Sequence, residues 1–167
     1  DPKKALEYYT ECFEIWSDLV SADHTDIRRQ RDLSSIHTRL GDAKVDLSNV
    51  AEALTHYQSA LLISKQLANL HPTHIAVQRD YALNSARVGN LLKATAKPTE
   101  AVIFFTDALN ALKPLVEADP QNAELKRDLG GIYERMADTA LGLNDATKEK
   151  KKKKKTLAIS KSLAELV

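Results

Sequence analysis

Apolar residues recur every three or four positions along almost the whole chain, the spacing of amphipathic helices and not the alternation of strands. The breaks in this pattern fall on stop and start signals. Asp1-Pro2, Asn49-Val50, Lys97-Pro98 and Asp145-Ala146 stand where helices should open, with an Asp or Asn cap at three of them and a proline at the first helical position twice. HPTH (71–74) and DPQN (119–122) close helices with a proline and offer Thr73 or Asn122 as the next cap. The pattern predicts seven helices, at about 2–22, 26–46, 49–70, 74–95, 98–118, 122–143 and 146–166.

The pattern also repeats without gaps, at an interval of about 48 residues. Ala5, Ala53 and Ala101 align, as do Leu6, Leu54 and Val102, then Tyr9, Tyr57 and Phe105. Cys12, Ala60 and Ala108 follow, and Leu19, Leu67, Leu115 and Leu163. In the second half of the unit the recurring elements are Arg31-Asp32, Arg79-Asp80 and Arg127-Asp128, then Leu40-Gly41, Val88-Gly89 and Met136-Ala137. Small residues suggest how the helices meet: Gly41 and Gly89 allow close approach, Ala53 and Ala101 supply a matching low profile, and Tyr57 and Phe105 fill the space a turn later.

On RLGD with VAEALTHYQSAL (39–42, 50–61) and RVGN with PTEAVIFFTDAL (87–90, 98–109), the chain resembles the tetratricopeptide repeat family. The family's usual unit is about 34 residues, and two extra turns on each helix absorb the greater length seen here. The resemblance covers essentially the whole chain. It implies an all-α, right-handed solenoid of stacked antiparallel helix pairs, one domain over 1–167 with units of about 1–48, 49–96, 97–144 and a partial 145–167.

The resemblance further implies a concave face that holds a peptide. Counted from the Leu-Gly column, the side chains expected there are Ser35, Thr38, Asp42, Val45 and Asp46, then Leu83, Ala86, Asn90 and Lys93, then Gly131, Glu134, Asp138 and Leu141. Arg39, Arg87 and Arg135 form a neighbouring column, three positions before Asp42, Asn90 and Asp138, and are counted with the peptide-binding candidates, although i,i+3 pairs on a solvated face give the plainest account of them. The Arg31-Asp32, Arg79-Asp80 and Arg127-Asp128 pairs read as an inter-repeat ladder rather than a ligand site. The family's clamp for acidic peptide termini wants basic or neutral groups in the groove. Asn90 and Lys93 match it in kind, but Asp42, Asp46, Glu134 and Asp138 oppose it, so a basic or mixed-charge peptide fits better.

Composition changes this picture little. At 167 residues with 43% apolar content and only five Gly and five Pro, the chain is ordered and long enough for a core. Lone Cys12 sits in the small-residue column of Ala60 and Ala108, excludes an intrachain disulfide and is compatible with the reducing cytoplasm. No apolar run approaches the ~18 residues a membrane span requires. The histidines at 24, 37, 56, 71 and 74 suggest no zinc cluster, DLGG (128–131) lies inside a helix without a P-loop lysine, and no catalytic constellation is visible. No cofactor, metal or enzymatic activity is expected.

Charge matters in one place. Setting aside the six lysines 150–155 leaves 18 basic against 23 acidic residues, about −5, so the net charge of +1 hides a mildly acidic body. In the repeat register Glu149 falls in the Ala5/Ala53/Ala101 column, Lys150 in the Leu6/Leu54/Val102 column and Lys153 in the Tyr9/Tyr57/Phe105 column. Each lost apolar side chain forfeits roughly 1.5–3 kcal/mol, and a buried unpaired ammonium costs several more. The first half of the seventh helix should not dock as its counterparts do, while Leu157, Ile159 and Leu163 resume the pattern. The expected function is a non-catalytic interaction scaffold that binds a protein or peptide on its concave face and self-associates through open solenoid ends. A regulatory or sensor segment of a larger bacterial signalling enzyme, acting in cis, is the alternative. Binding of nucleic acid or anionic lipid through Lys150 to Lys155 is a disfavoured third reading, since the run lacks interleaved aromatic or Arg residues.

Overall fold

The structure, a computed structural model, describes the backbone of residues 1–164 and the side chains of residues 1–150. It is all-α, with no strand among the described residues. Six helices follow one another: α1 (Pro2–Ala22), α2 (Ile27–Asp46), α3 (Val50–Leu70), α4 (Ile75–Ala94), α5 (Pro98–Ala118) and α6 (Ala123–Ala164). Each packs against the next in the chain. In addition α2 touches α4 and α4 touches α6, whereas α1, α3 and α5 make no Cα approach within 8 Å of one another. No described helix is long and apolar enough to cross a membrane.

The helix ends follow local chemistry closely. Asp1 Oδ1 accepts from Lys3 N–H at 3.0 Å, Asn49 Oδ1 from Glu52 N–H at 3.4 Å, and Asn122 Oδ1 from Leu125 N–H at 3.1 Å. Thr73 is not the cap of α4; His74 takes that role, its Nδ1 accepting from Val77 N–H at 3.4 Å. Lys97 caps nothing with its side chain, so α5 starts on Pro98 alone. The turns after α2 and α4 share one design. Ser48 and Ala96 adopt left-handed conformations with φ of 59° and 60°. They close Schellman motifs in which Asn49 N–H donates to Lys44 C=O at 2.8 Å and Lys97 N–H to Leu92 C=O at 2.9 Å.

The core runs between the helices along the repeating columns. Ala53, Tyr57, Ala101, Phe105 and Ala108 are buried together with Ala82, Val88, Leu92 and Ile132 in one continuous cluster. Phe105 is fully enclosed and Tyr57 is 7% exposed, each worth about 1.5–3 kcal/mol of hydrophobic stabilisation. Both rings lie against a glycine. A β-carbon at Gly89 would stand 2.8 Å from Phe105 Cε1, and one at Gly41 would overlap the edge of Tyr57, so the approach inferred from the small residues is present.

The seventh helix is not separate. Residues 122–143 and 146–166 were expected to be two elements, but α6 runs unbroken from Ala123 to Ala164. Asn144 occupies the column of Ser48 and Ala96, yet stays helical, and Asp145 caps nothing. Reversal would bring residues 146 onward against α6 with Glu149 and Lys150 in packing columns; both are exposed instead. Without a docked partner to gain, the chain keeps the hydrogen bonds of an uninterrupted helix. The side chains of Lys151 to Lys155, Leu157, Ile159 and Leu163 lie outside the described residues.

Candidate interaction site

Helices α2 and α4 flank an open groove of about 490 Å³. Arg28, Arg31, Asp32 and Ser35 come from α2, and Asp80, Leu83 and Arg87 from α4. Its floor is a buried polar network. Asn84 Nδ2 donates to Ser34 Oγ and Ser64 Oγ, both at 3.1 Å, and its Oδ1 accepts from Thr38 Oγ1 at 3.2 Å. Ser34 Oγ in turn donates to Ala60 C=O at 3.0 Å. Three helices are therefore tied at one point by an amide whose donors and acceptor are all used.

Ion pairs cross the walls in a regular ladder. Arg31 Nε donates to Asp80 Oδ2 at 2.6 Å, and one repeat later Arg79 Nε donates to Asp128 Oδ2 at 2.5 Å. Glu124 adds a second carboxylate at 2.8 Å from Arg79 Nη2. The Asp128 hydrogen bond, foremost, raises the Arg79 pKa further above its ordinary value. The ladder inferred from the recurring Arg-Asp pairs thus joins successive units, each Arg reaching the Asp of the following one.

A second set of contacts involves the residues expected on the concave face. Asp42 accepts from Tyr57 Oη at 2.6 Å and from Arg87 Nη1 at 3.0 Å. Burial first, and then the Asp42 carboxylate, push the Tyr57 phenol well above its usual range, so it stays a donor. Arg87 thus pairs with Asp42 in the preceding unit, and the i,i+3 partnership with Asn90 does not form. Arg39 lies 5.9 Å over the Tyr9 ring rather than on Asp42, and Lys93 Nζ stands 3.5 Å from Asp138. Asp46, Asn90, Glu134 and Arg135 are exposed. Thr38 and Ala86 are buried: the threonine hydroxyl is spent in the Asn84 network, and Ala86 packs in the core. Asn90 borders a smaller depression with Val45 and Arg87.

Two features were not read from the sequence. Asn84 stands in the column of Ile36 and Ile132, and a polar residue in an otherwise apolar column was the available signal. The other is a histidine pair: His37 Nδ1 of α2 and His56 Nδ1 of α3 are 3.2 Å apart, with Phe13 of α1 5.0 Å from the His37 ring. Burial, and then His56, push the His37 pKa down to about 4, and burial followed by Lys44 also lowers that of His56. Both rings are neutral near pH 7, one donating to the other. No repeat pairs them, because His37 shares its column with Ser85 and Tyr133 and His56 with Tyr8 and Phe104. Among the described residues no group of three or more His, Cys, Asp or Glu is placed to hold a metal ion.

No protein-family model matches the chain, and no curated protein matches it in sequence.

Proposed function

We propose that the protein is a non-catalytic interaction scaffold, a right-handed tetratricopeptide-like solenoid that holds a mixed-charge peptide along the face formed by α2, α4 and α6. One observation carries this reading: α2 meets α4 and α4 meets α6, while α1, α3 and α5 stay apart. In a stack of helix pairs the side whose helices touch is the inner arc, and that is the side where an extended ligand is cradled.

The groove between α2 and α4 supports the same reading. It is open rather than enclosed, and its floor is fixed by the Asn84 network. Arg28, Arg31 and Arg87 share its lining with Asp32 and Asp80. The acids predicted to repel a carboxylate are partly neutralised, since Asp42 holds Arg87 and Asp138 holds Lys93. Such a surface favours neither a purely acidic nor a purely basic ligand; it suits a segment carrying both signs.

Selection of binding peptides from a random displayed library tests this. Peptides of mixed charge should be enriched, and their affinity should fall at least about tenfold in Leu83→Arg and Ser35→Arg, which obstruct the groove without touching the core. Chemical-shift changes on peptide addition should centre on residues 28–42 and 80–94. Enriched peptides indifferent to both substitutions would place the binding surface elsewhere and end the proposal.

A further inference from the structure

The faces at the two ends of the described helix stack are only partly covered, and their chemistry is complementary. In α3 and α5 the column Ala53, Tyr57, Ala60 and its successor Ala101, Phe105, Ala108 are buried, because α2 and α4 lie over them. The same column in α1 is Ala5, Tyr9 and Cys12, and α1 contains no buried residue at all. At the opposite end α6 carries the surface that α4 uses to receive α5. Ala137 occupies the column of Gly41 and Gly89 and is exposed; Tyr133 is 46% exposed, and a β-carbon at Gly130 would meet nothing within 4 Å. Residues 146–164 do not fold back to cover this surface, since they continue α6.

The charge ladder is open in the same sense. Arg31 pairs with Asp80 and Arg79 with Asp128, which leaves Asp32 at one end and Arg127 at the other. Both are exposed, and among the described residues neither has a partner.

We propose that two copies of this chain associate head to tail, α1 of the second copy seating on α6 of the first where a seventh helix would have docked. The register is fixed by three repeat intervals, the same offset that carries Leu19 to Leu163. It sets the second copy's Tyr9 against Ala137, as Tyr57 lies against Gly41, with its hydroxyl directed at Asp138 as that of Tyr57 is at Asp42. It sets the second copy's Asp32 opposite Arg127, adding the next rung of the ladder. Ala137 carries the β-carbon that Gly41 and Gly89 lack, so the incoming ring sits slightly farther out. The interface is heterologous, and each added copy exposes the same two ends again. It shares Asp32 with the rim of the α2–α4 groove but uses neither the groove floor nor Leu83 and Ser35, and Arg127 and Ala137 lie outside that groove, so their substitution tests association separately from peptide binding.

Sedimentation velocity on the 167-residue protein over about 10–300 µM tests this. The weight-average mass should rise with concentration. Arg127→Asp and Asp32→Arg each place like charges together, and each alone should weaken association about tenfold. An equimolar mixture of the two variants should associate again, because every contact in an alternating stack then joins opposite charges. Ala137→Arg, at an exposed position, should leave the helix content intact and abolish the mass increase. A protein monomeric throughout this range, association indifferent to both reversals, or a mixture no more associated than its components would each overturn the proposal.

Discussion

Phe105 of α5 lies so close across Gly89 of α4 that a β-carbon added at position 89 would stand 2.8 Å from Cε1 and 3.0 Å from Cδ1 of the ring. Alanine is the better helix former by about 1 kcal/mol, so the isolated helix would favour the substitution. The ring is fully enclosed and cannot yield without disturbing its neighbours. Gly89→Ala should therefore destabilise the protein by about 1–2 kcal/mol in urea unfolding, with partial recovery in the double variant with Phe105→Leu. Gly142, where a β-carbon meets nothing within 4 Å, should behave oppositely: Gly142→Ala should raise stability by about 0.5–1 kcal/mol. The same substitution with opposite signs at two helical glycines isolates packing from propensity.

The left-handed turns at Ser48 and Ala96 offer a second contrast. Both residues hold a β-carbon in a region that costs about 1 kcal/mol relative to glycine. Ser48→Gly and Ala96→Gly should each stabilise by about 0.5 kcal/mol, the remainder being lost to the greater freedom of glycine in the unfolded chain. Thermal unfolding followed by circular dichroism measures this, and a lowered midpoint in both variants contradicts it.

Asn84 should matter more than its size suggests. Asn84→Ala strips Thr38 of an acceptor and Ser34 and Ser64 of a donor inside the protein, and should cost about 2–3 kcal/mol. Replacing it by the isoleucine that occupies its column in the neighbouring repeats should not restore stability, because the hydroxyls on α2 and α3 remain without it. Chemical denaturation of the two variants decides the matter.

The histidine pair makes stability depend on pH. His37 is held neutral in the fold, with a pKa down at about 4, against about 6.5 when unfolded. The unfolded chain therefore binds the extra proton as pH falls through 6.5, and the folded chain does not until about 4. The contribution is fully present above pH 6.5 and is lost progressively between 6.5 and 4. With solvent screening of this partly exposed ring it amounts to about 1–2 kcal/mol. His37→Phe, which retains a ring beside Phe13, should flatten the change in unfolding free energy between about pH 7.5 and pH 5; an unchanged slope would show that the pair does not titrate as described.

Much of this structure is legible in one dimension because its contacts recur. One repeat interval carries Ala53 to Ala101, Tyr57 to Phe105 and Gly41 to Gly89, so each packing contact is written twice and can be read as a column. Five of the six helices and the Arg31–Asp80 and Arg79–Asp128 rungs follow from that repetition and from the caps and prolines between helices. The expected face residues divide: Asp42, Arg87, Lys93 and Asp138 form cross-unit pairs, Arg39 stacks on Tyr9, and Thr38 is buried. Asn84 and the pair His37–His56 occur once each, and a contact made once leaves no period to detect.

The amino-acid pattern alone determined where helices can start, which faces are apolar and at what interval they return, because these depend on residues a few positions apart. Only the three-dimensional arrangement decided whether a permitted turn is taken. Ser48, Ala96 and Asn144 are equivalent, and asparagine tolerates the left-handed region best of the three, yet Asn144 alone stays helical. The first two reversals return Ala53 and Tyr57, or Ala101 and Phe105, to a glycine-lined surface, and that burial outweighs the strain of the turn. The third would return Glu149 and Lys150 to a surface where Ala137 stands in the glycine column, and with nothing gained by docking the helix goes on.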